Sequence, residues 1–312
     1  MAGRILVTGL SGFAGSHLAP AVAALLPDAT LLPLGCDLTD QAGVAARVRD
    51  VRPDACLHLA AIAAIPVARA DPSLAWSVNL HGTLGLARAL LAHAPAAPLL
   101  FVSSADAYGA SFRAGRPLDE SAPLAPLNTY GVTKAAADLA LGAMAAEGLH
   151  AIRLRPFNHA GPGQSDDFAI PAFARQIALI AAGRQTPVLR TGNLDSWRDY
   201  LDVRDVCAAY ALCLANASRI PPGTILNIAS GTPRRIGDVL DALIARSGVS
   251  VRLELDPARA RPADIPMAAG DSGRLRALLG WSPRVAWECT LDEVLRDWTA
   301  RVAIQDGSSP LV

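Results

Sequence analysis

The sequence predicts an α/β protein: a doubly wound parallel sheet with helices on both faces, joined to a smaller α/β domain. Three observations carry this expectation. Short apolar runs alternate with helix-length segments through the first half, the first run ends in a glycine-rich turn, and after Arg155 the prolines recur and the loops lengthen. Strands separated by helices pair in parallel, and such sheets are covered on both faces. The expected division is residues 1–156 for the sheet domain and 157–312 mainly for the second domain, with the chain crossing back to the sheet around 198–230.

The elements follow in order. Arg4–Thr8 (R-I-L-V-T) is a buried strand. A helix comes next, with Leu18, Val22 and Leu25 in phase on one face, and Pro20 inside it should weaken or kink it. Thr30–Leu34 is a strand, Gln41–Val51 a helix, Ala55–Leu59 a strand and Ser73–Ala92 a helix. Leu99–Ser103 is a strand, Tyr130–Glu147 a helix and His150–Arg155 a strand. Proline and glycine between Ala110 and Pro126 mark a long surface loop.

Composition excludes several functions. Basic and acidic residues balance at 28 each, so no basic stripe invites nucleic acid. No apolar run reaches the roughly 18 residues that span a bilayer, and the first residues lack the pattern of a signal peptide. The five cysteines are scattered and the six histidines form no ligand spacing, so neither disulfides nor a metal site is expected. A cytoplasmic protein with reduced thiols is the reading. Of the 28 Lys and Arg residues only Lys134 is a lysine, which draws attention to a position that requires an amine.

The turn Thr8-Gly9-Leu10-Ser11-Gly12-Phe13-Ala14-Gly15 has the spacing G-x-x-G-x-x-G. A pyrophosphate needs close approach of backbone amides without intervening Cβ atoms, and then a helix N-terminus facing its charge. Glycine triplets are common in a chain with 25 glycines. Between a first strand and a helix, however, the triplet predicts a Rossmann-type dinucleotide site. Asp37, in C-D-L-T-D with Leu38, could hold a ribose 2′-hydroxyl or lie under the adenine, and no basic cluster nearby awaits a 2′-phosphate. NAD and NADP both stay open.

Tyr130-Gly131-Val132-Thr133-Lys134 has the spacing Y-x-x-x-K at a helix start, which puts both side chains on one face. An ammonium near a phenol favours phenolate, as general acid–base chemistry requires. Ser104, ending a strand in F-V-S-S-A-D-A-Y-G, would polarise a carbonyl. Tyr108, after the same strand, reads as a pocket wall.

These residues resemble the extended short-chain dehydrogenase/reductases that act on nucleotide-activated sugars. The resemblance covers nearly the whole chain, including His58-Leu59-Ala60-Ala61, Asn79 in V-N-L-H-G-T, and Arg198-Asp199-Tyr200-Leu201-Asp202-Val203. It implies that Tyr130 is the proton donor or acceptor and that Lys134 binds the nicotinamide ribose. Gly9, Ser11, Gly12, Phe13, Ala14, Gly15, Asp37, Leu38, Leu59, Ala60, Ala61, Asn79 and Phe157 would then line the cofactor. A homodimer is also implied, paired through the helices Tyr130–Glu147 and Leu74–Ala92.

Within that family, Arg155-Pro156-Phe157-Asn158-His159-Ala160-Gly161-Pro162-Gly163-Gln164 is similar to the signature of the reductases of GDP-4-keto-6-deoxymannose. Gly192-Asn193-Leu194-Asp195 and Arg261-Pro262-Ala263-Asp264-Ile265-Pro266 are similar to the same group. The likeness implies a GDP-linked sugar held by Ser104, Ala105, Asp106, Asn158, Gln164, Arg198 and Arg261, with the arginines on its diphosphate. It implies NAD(P)H-dependent reduction at carbon 4, to GDP-D-rhamnose or GDP-6-deoxytalose. A 4-epimerase would use the same Ser, Tyr and Lys. A 4,6-dehydratase would need an acid–base pair after the serine, where Ala105 offers no proton and Asp106 is shorter than the usual Glu. A sensor without chemistry should have lost Tyr130 or Lys134.

Overall fold

β1 (Arg4–Thr8) is buried from Ile5 onward and alternates its side chains between two packed layers. The computed structural model describes residues 3–257 and 265–304. The other strands of the main sheet are β2 (Thr30–Pro33), β3 (Ala55–His58), β4 (Leu99–Val102), β5 (Ala151–Pro156) and, far along the chain, Ile225–Ile228. All pair in parallel, in the order β2-β1-β3-β4-β5 with Ile225–Ile228 at the far edge. The strand order reverses between β1 and β3, so the crevice for a ligand lies at Thr8 and His58. At the opposite edge Pro33 ends β2, where a strand tolerates a missing N–H.

Helices cover both faces. Ile5, Val7, Leu57 and Leu100 pack under α2 (Leu18–Leu25), which follows the single turn α1 (Phe13–Ser16). Leu6, Cys56, Leu99 and Phe101 pack against α3 (Gln41–Val51) and the helices before and after β4. The helix expected after the glycine turn is thus two pieces that meet at His17. The break resolves Pro20: it occupies the first turn of α2, where its missing N–H costs little. Leu25 was expected on the buried face but is 44% exposed, because α2 ends there and the chain turns away.

The helix expected over Ser73–Ala92 is also broken. A short helix α4 (Ile65–Ala70) precedes it, and the span itself consists of α5 (Pro72–Trp76), a wide π-helical turn at Ser77–Gly82, and α6 (Thr83–His93). Asp71 starts α5 by accepting from Leu74 N at 2.9 Å, just ahead of Pro72. The wide turn swings Asn79 inward to a fully buried position. α7 (Thr129–Ala146) is capped by Asn128, whose side chain accepts from Gly131 N at 2.8 Å.

Beyond β5 come β6 (Asn158–Ala160), α8 (Ala169–Ala181), β7 (Val188–Thr191), β8 (Trp197–Asp202) and α9 (Val203–Ala215). α9 lies on the main sheet and returns the chain to it as β9 (Ile225–Ile228). The remaining elements are β10 (Pro233–Arg235), α10 (Ile236–Ser247), β11 (Arg252–Leu255), β12 (Met267–Ala268), α11 (Gly273–Leu279) and α12 (Trp287–Ile304). β6, β8, β10 and β12 make a second small sheet, and α8, α10 and α12 enclose a separate core with Phe173, Trp287 and Trp298. No helix among the described residues is long and apolar enough to cross a membrane.

Candidate active site

Ser104 follows β4 and caps a short turn, its Oγ accepting from Asp106 N at 3.1 Å. The Asp106 carboxylate lies 3.5 Å from the same oxygen. α7 reaches this segment because Gly131 has no side chain: a Cβ there would sit 2.7 Å from the Asp106 carbonyl oxygen. Tyr130 is therefore brought beside Ser104, and both are buried. Burial raises the Tyr130 pKa above its ordinary value, the Asp106 charge raises it further, and the Ser104 hydroxyl pulls it down.

Lys134 does not lower the Tyr130 pKa, contrary to the expectation from spacing. The two share a helix face, but the ammonium is drawn elsewhere. Nζ donates to the Val102 carbonyl at 2.7 Å and lies 4.9 Å from the centre of the Phe101 ring. Burial lowers the Lys134 pKa from its ordinary 10.5 to about 7, against an opposing pull from Asp138 one turn on. Asp138 is fully buried and bonded to Arg155 at 2.8 and 2.9 Å and to Arg153 at 3.1 Å.

A chain of hydrogen bonds ties the glycine turn to α7. Thr83 Oγ1 donates to the Asn79 carbonyl at 2.7 Å, so its contact with His58 Nε2 at 2.8 Å has the imidazole as donor. His58 Nδ1 then accepts from Thr8 Oγ1 at 2.6 Å, and that oxygen accepts from Ala60 N at 3.1 Å. Burial holds the His58 pKa down at about 3, with the Lys134 charge adding to the effect, so the ring is neutral. Asn79 binds Ile62 through both ends of its amide and donates to Thr133 Oγ1 at 2.9 Å. Thr133 in turn donates to the Tyr130 carbonyl at 2.8 Å. The partners Thr8, Thr83 and Thr133 escaped sequence reasoning. The only signal was polar residues set in otherwise apolar segments.

A cavity of about 720 Å³ opens at the reversal point of the sheet. Its walls include Gly9, Ser11, Asp37, Leu38 and Ala60 of the residues expected at a cofactor. Gly9 turns the chain at φ +72°, and a Cβ on Gly15 would meet the Gly9 carbonyl oxygen at 2.4 Å. A Cβ on Gly12 would also crowd the Gly9 carbonyl oxygen, at 3.2 Å. An open cradle below the start of a helix, in a cavity of this size, fits a dinucleotide. Phe13 leaves the turn to stack on His159, 5.8 Å between ring centres.

The remaining predicted positions divide. Ala105 is buried beside Ser104, and Asn158 is exposed on β6. Gln164 is 4% exposed, donates to the His159 carbonyl at 3.1 Å, and leaves Oε1 without a partner. Arg198 on β8 donates to the carbonyls of Trp197 and Ile265, each at 2.8 Å. Arg261 lies outside the described residues. Phe157 packs with Tyr108 and Phe112. Tyr108 is not a pocket wall. It is fully buried, donating to Asn227 at 2.8 Å and accepting from Arg155 at 3.0 Å, because the turn after Ser104 folds it back into the core.

Comparisons with known proteins agree with this architecture. The description "NAD dependent epimerase/dehydratase family" matches residues 5–229. A GDP-6-deoxy-D-mannose reductase of Pseudomonas aeruginosa is 38% identical over 97% of this chain and 99% of its own. A UDP-glucose 4-epimerase of Azospirillum brasilense is 30% identical over 93% of each. Among solved structures, RMD from Pseudomonas aeruginosa complexed with NADPH superposes with a TM-score of 0.86 at 36% identity, covering 96% of this chain and 99% of that one. UDP-glucose 4-epimerase of Thermus thermophilus in complex with NAD gives 0.80 at 27%, covering 95% and 98%. With its parallel sheet, glycine turn and Ser–Tyr–Lys group, the chain belongs to the NAD dependent epimerase/dehydratase family.

Proposed function

We propose that the protein reduces the 4-keto group of a GDP-linked 4-keto-6-deoxyhexose with NAD(P)H, giving GDP-6-deoxy-D-mannose (GDP-D-rhamnose) or its talose epimer. The observation that carries this reading is the likeness to the Pseudomonas reductase, which runs through both halves of the chain. When bound, the reduced nicotinamide supplies a hydride. Tyr130 gives its proton to the oxygen on carbon 4, and its raised pKa keeps that proton in place at neutral pH. The Ser104 hydroxyl donates to the same oxygen as charge develops there. Lys134, close to neutrality, holds the nicotinamide ribose through its amine. Asn158, Gln164, Arg198 and Arg261 are assigned to the sugar nucleotide. Ala105 has no group to remove a proton or expel a hydroxyl, which favours reduction over dehydration.

The second domain, from 157 onward apart from α9 and β9, is read as the sugar-nucleotide lobe. A homodimer through α7 and the α5–α6 region accords with Leu139 at 60% and Leu74 at 42% exposed. The five unpaired cysteines accord with a reducing, cytoplasmic setting. The deciding experiment incubates the protein with GDP-4-keto-6-deoxymannose and NADPH or NADH and reads the product by NMR. A 6-deoxyhexose with a new carbon-4 proton is expected. Unchanged ketone with both cofactors refutes the assignment.

A further inference from the structure

Two segments assigned to different ligands meet at one small cluster of rings. Phe13 opens α1, the single turn that ends the glycine-rich segment, and His159 stands on β6 beside Asn158. Their rings stack nearly parallel, at 7° and 5.8 Å between centres. Phe13 also meets His17 edge-on at 5.6 Å, and His17 Nε2 donates to the Pro162 carbonyl at 2.8 Å. His159 Nδ1 donates to the Phe157 carbonyl at 3.0 Å, and burial holds its pKa down, so the ring is neutral at neutral pH. The junction is tight: a Cβ on Gly161 would meet Val203 Cγ1 at 2.5 Å, with Phe13 Cζ next at 3.6 Å. Gln164 Nε2 donates back to the His159 carbonyl at 3.1 Å. Farther on, Gly163 N donates to Asp297 at 2.9 Å and Arg301 to the Gln164 carbonyl at 3.3 Å. The segment from Asn158 to Gln164 is thus fastened to α12 on one side and to α1 on the other, where Phe13 and His17 are the pins.

α1 is four residues long, and its N-cap, Gly12, has no side chain to receive the first N–H groups. So short a helix has little stability of its own. A pyrophosphate on the glycine turn would supply the missing acceptor and order it. We infer that His159 is a positioning residue: by stacking on Phe13 it couples an occupied cofactor turn to the strand that carries Asn158, so that the dinucleotide prepares the sugar-nucleotide pocket. The inference rests on the reading of the two pockets as cofactor and sugar-nucleotide sites. Such coupling needs no change of shape, because the first ligand bears the ordering and the second finds it done. An aromatic pair sets its size at about two- to tenfold in affinity.

Calorimetric titration of GDP, into the protein alone and with saturating NADP⁺ or NAD⁺, reads the coupling without turnover. The wild-type protein should bind GDP about two- to tenfold more tightly when the dinucleotide is present. His159→Ala should lose that gain, while its affinity for GDP alone and for the dinucleotide alone stays within about twofold of wild type. His159→Phe keeps a ring over Phe13 but not the bond to Phe157, and should retain the gain. Thermal melts of both variants check that they fold. Equal GDP affinity with and without dinucleotide in the wild-type protein overturns the inference, as does a gain that survives in His159→Ala. Loss of the gain in both variants gives the effect to the Phe157 bond and overturns the role of the stack. Equal weakening of GDP in both states of His159→Ala makes the residue a prop for β6 and also overturns it. If GDP does not bind at all while the dinucleotide does, the sugar-nucleotide reading falls and takes this inference with it.

Discussion

Replacing Lys134 by Met should abolish turnover yet make the protein harder to unfold at low pH. Methionine has nearly the same length, so the apolar stem keeps its packing beside Phe101. What disappears is a buried ammonium. Folding lowers the Lys134 pKa from 10.5 to about 7. Between those values the unfolded chain binds more protons than the folded one, so the wild-type protein gains stability as pH rises. Between about pH 6 and about pH 9 the gain from this group is about 2–3 kcal/mol. Methionine has no such term. Urea unfolding of both proteins at several pH values therefore isolates it, since all other titrating groups cancel in the difference. The Met variant should be the more stable at about pH 6, with an advantage that shrinks by about 2–3 kcal/mol by about pH 9. A difference that stays constant across that range would refute the claim that burial governs the charge of Lys134.

Tyr130→Phe should lower kcat about a hundredfold to ten-thousandfold while calorimetric binding of the cofactor stays near wild type, because only the proton donor is lost. Asp138→Ala should cost about 3–5 kcal/mol in urea unfolding, since it strands Arg153 and Arg155 in a buried site without their carboxylate. Thr83→Val keeps the volume but leaves the His58 Nε2 donor unpaired, which should cost about 1–3 kcal/mol. Its turnover should fall as well, because the turn that carries Asn79 loses its tie to His58, and steady-state kinetics read that loss.

The sheet strands and the glycine turn were legible because their signals are local: apolar runs of strand length, and glycines at a fixed spacing after the first of them. The placement of Tyr130 and Lys134 on one helix and of Ser104 just after a strand was legible for the same reason. The break at Ser77–Gly82 was not legible, because its cause lies in partners distant in sequence. Asn79 turns inward to satisfy Ile62, 17 residues away, and Thr133, 54 away. Pro20 looked like a flaw only while the helix was drawn unbroken through His17.

The segment Arg198-Asp199-Tyr200-Leu201-Asp202-Val203-Arg204-Asp205 shows how far motif reading reaches. The resemblance assigned it to substrate through Arg198, yet its three acids are buried and fully engaged within the chain. Asp199 accepts from the backbone N–H groups of Ser230, Gly231 and Gly270. Asp202 caps α9 and accepts from Thr290 Oγ1, and Asp205 accepts from Arg284 N and Val285 N. A buried carboxylate is costly unless each oxygen is satisfied, so these three demand fixed geometry from segments far along the chain. Each bond pins a part of the second half to β8 or α9, and α9 packs on the main sheet. The acids of this motif therefore serve the architecture: they hold segments of the second half to β8 and α9, and through α9 to the main sheet.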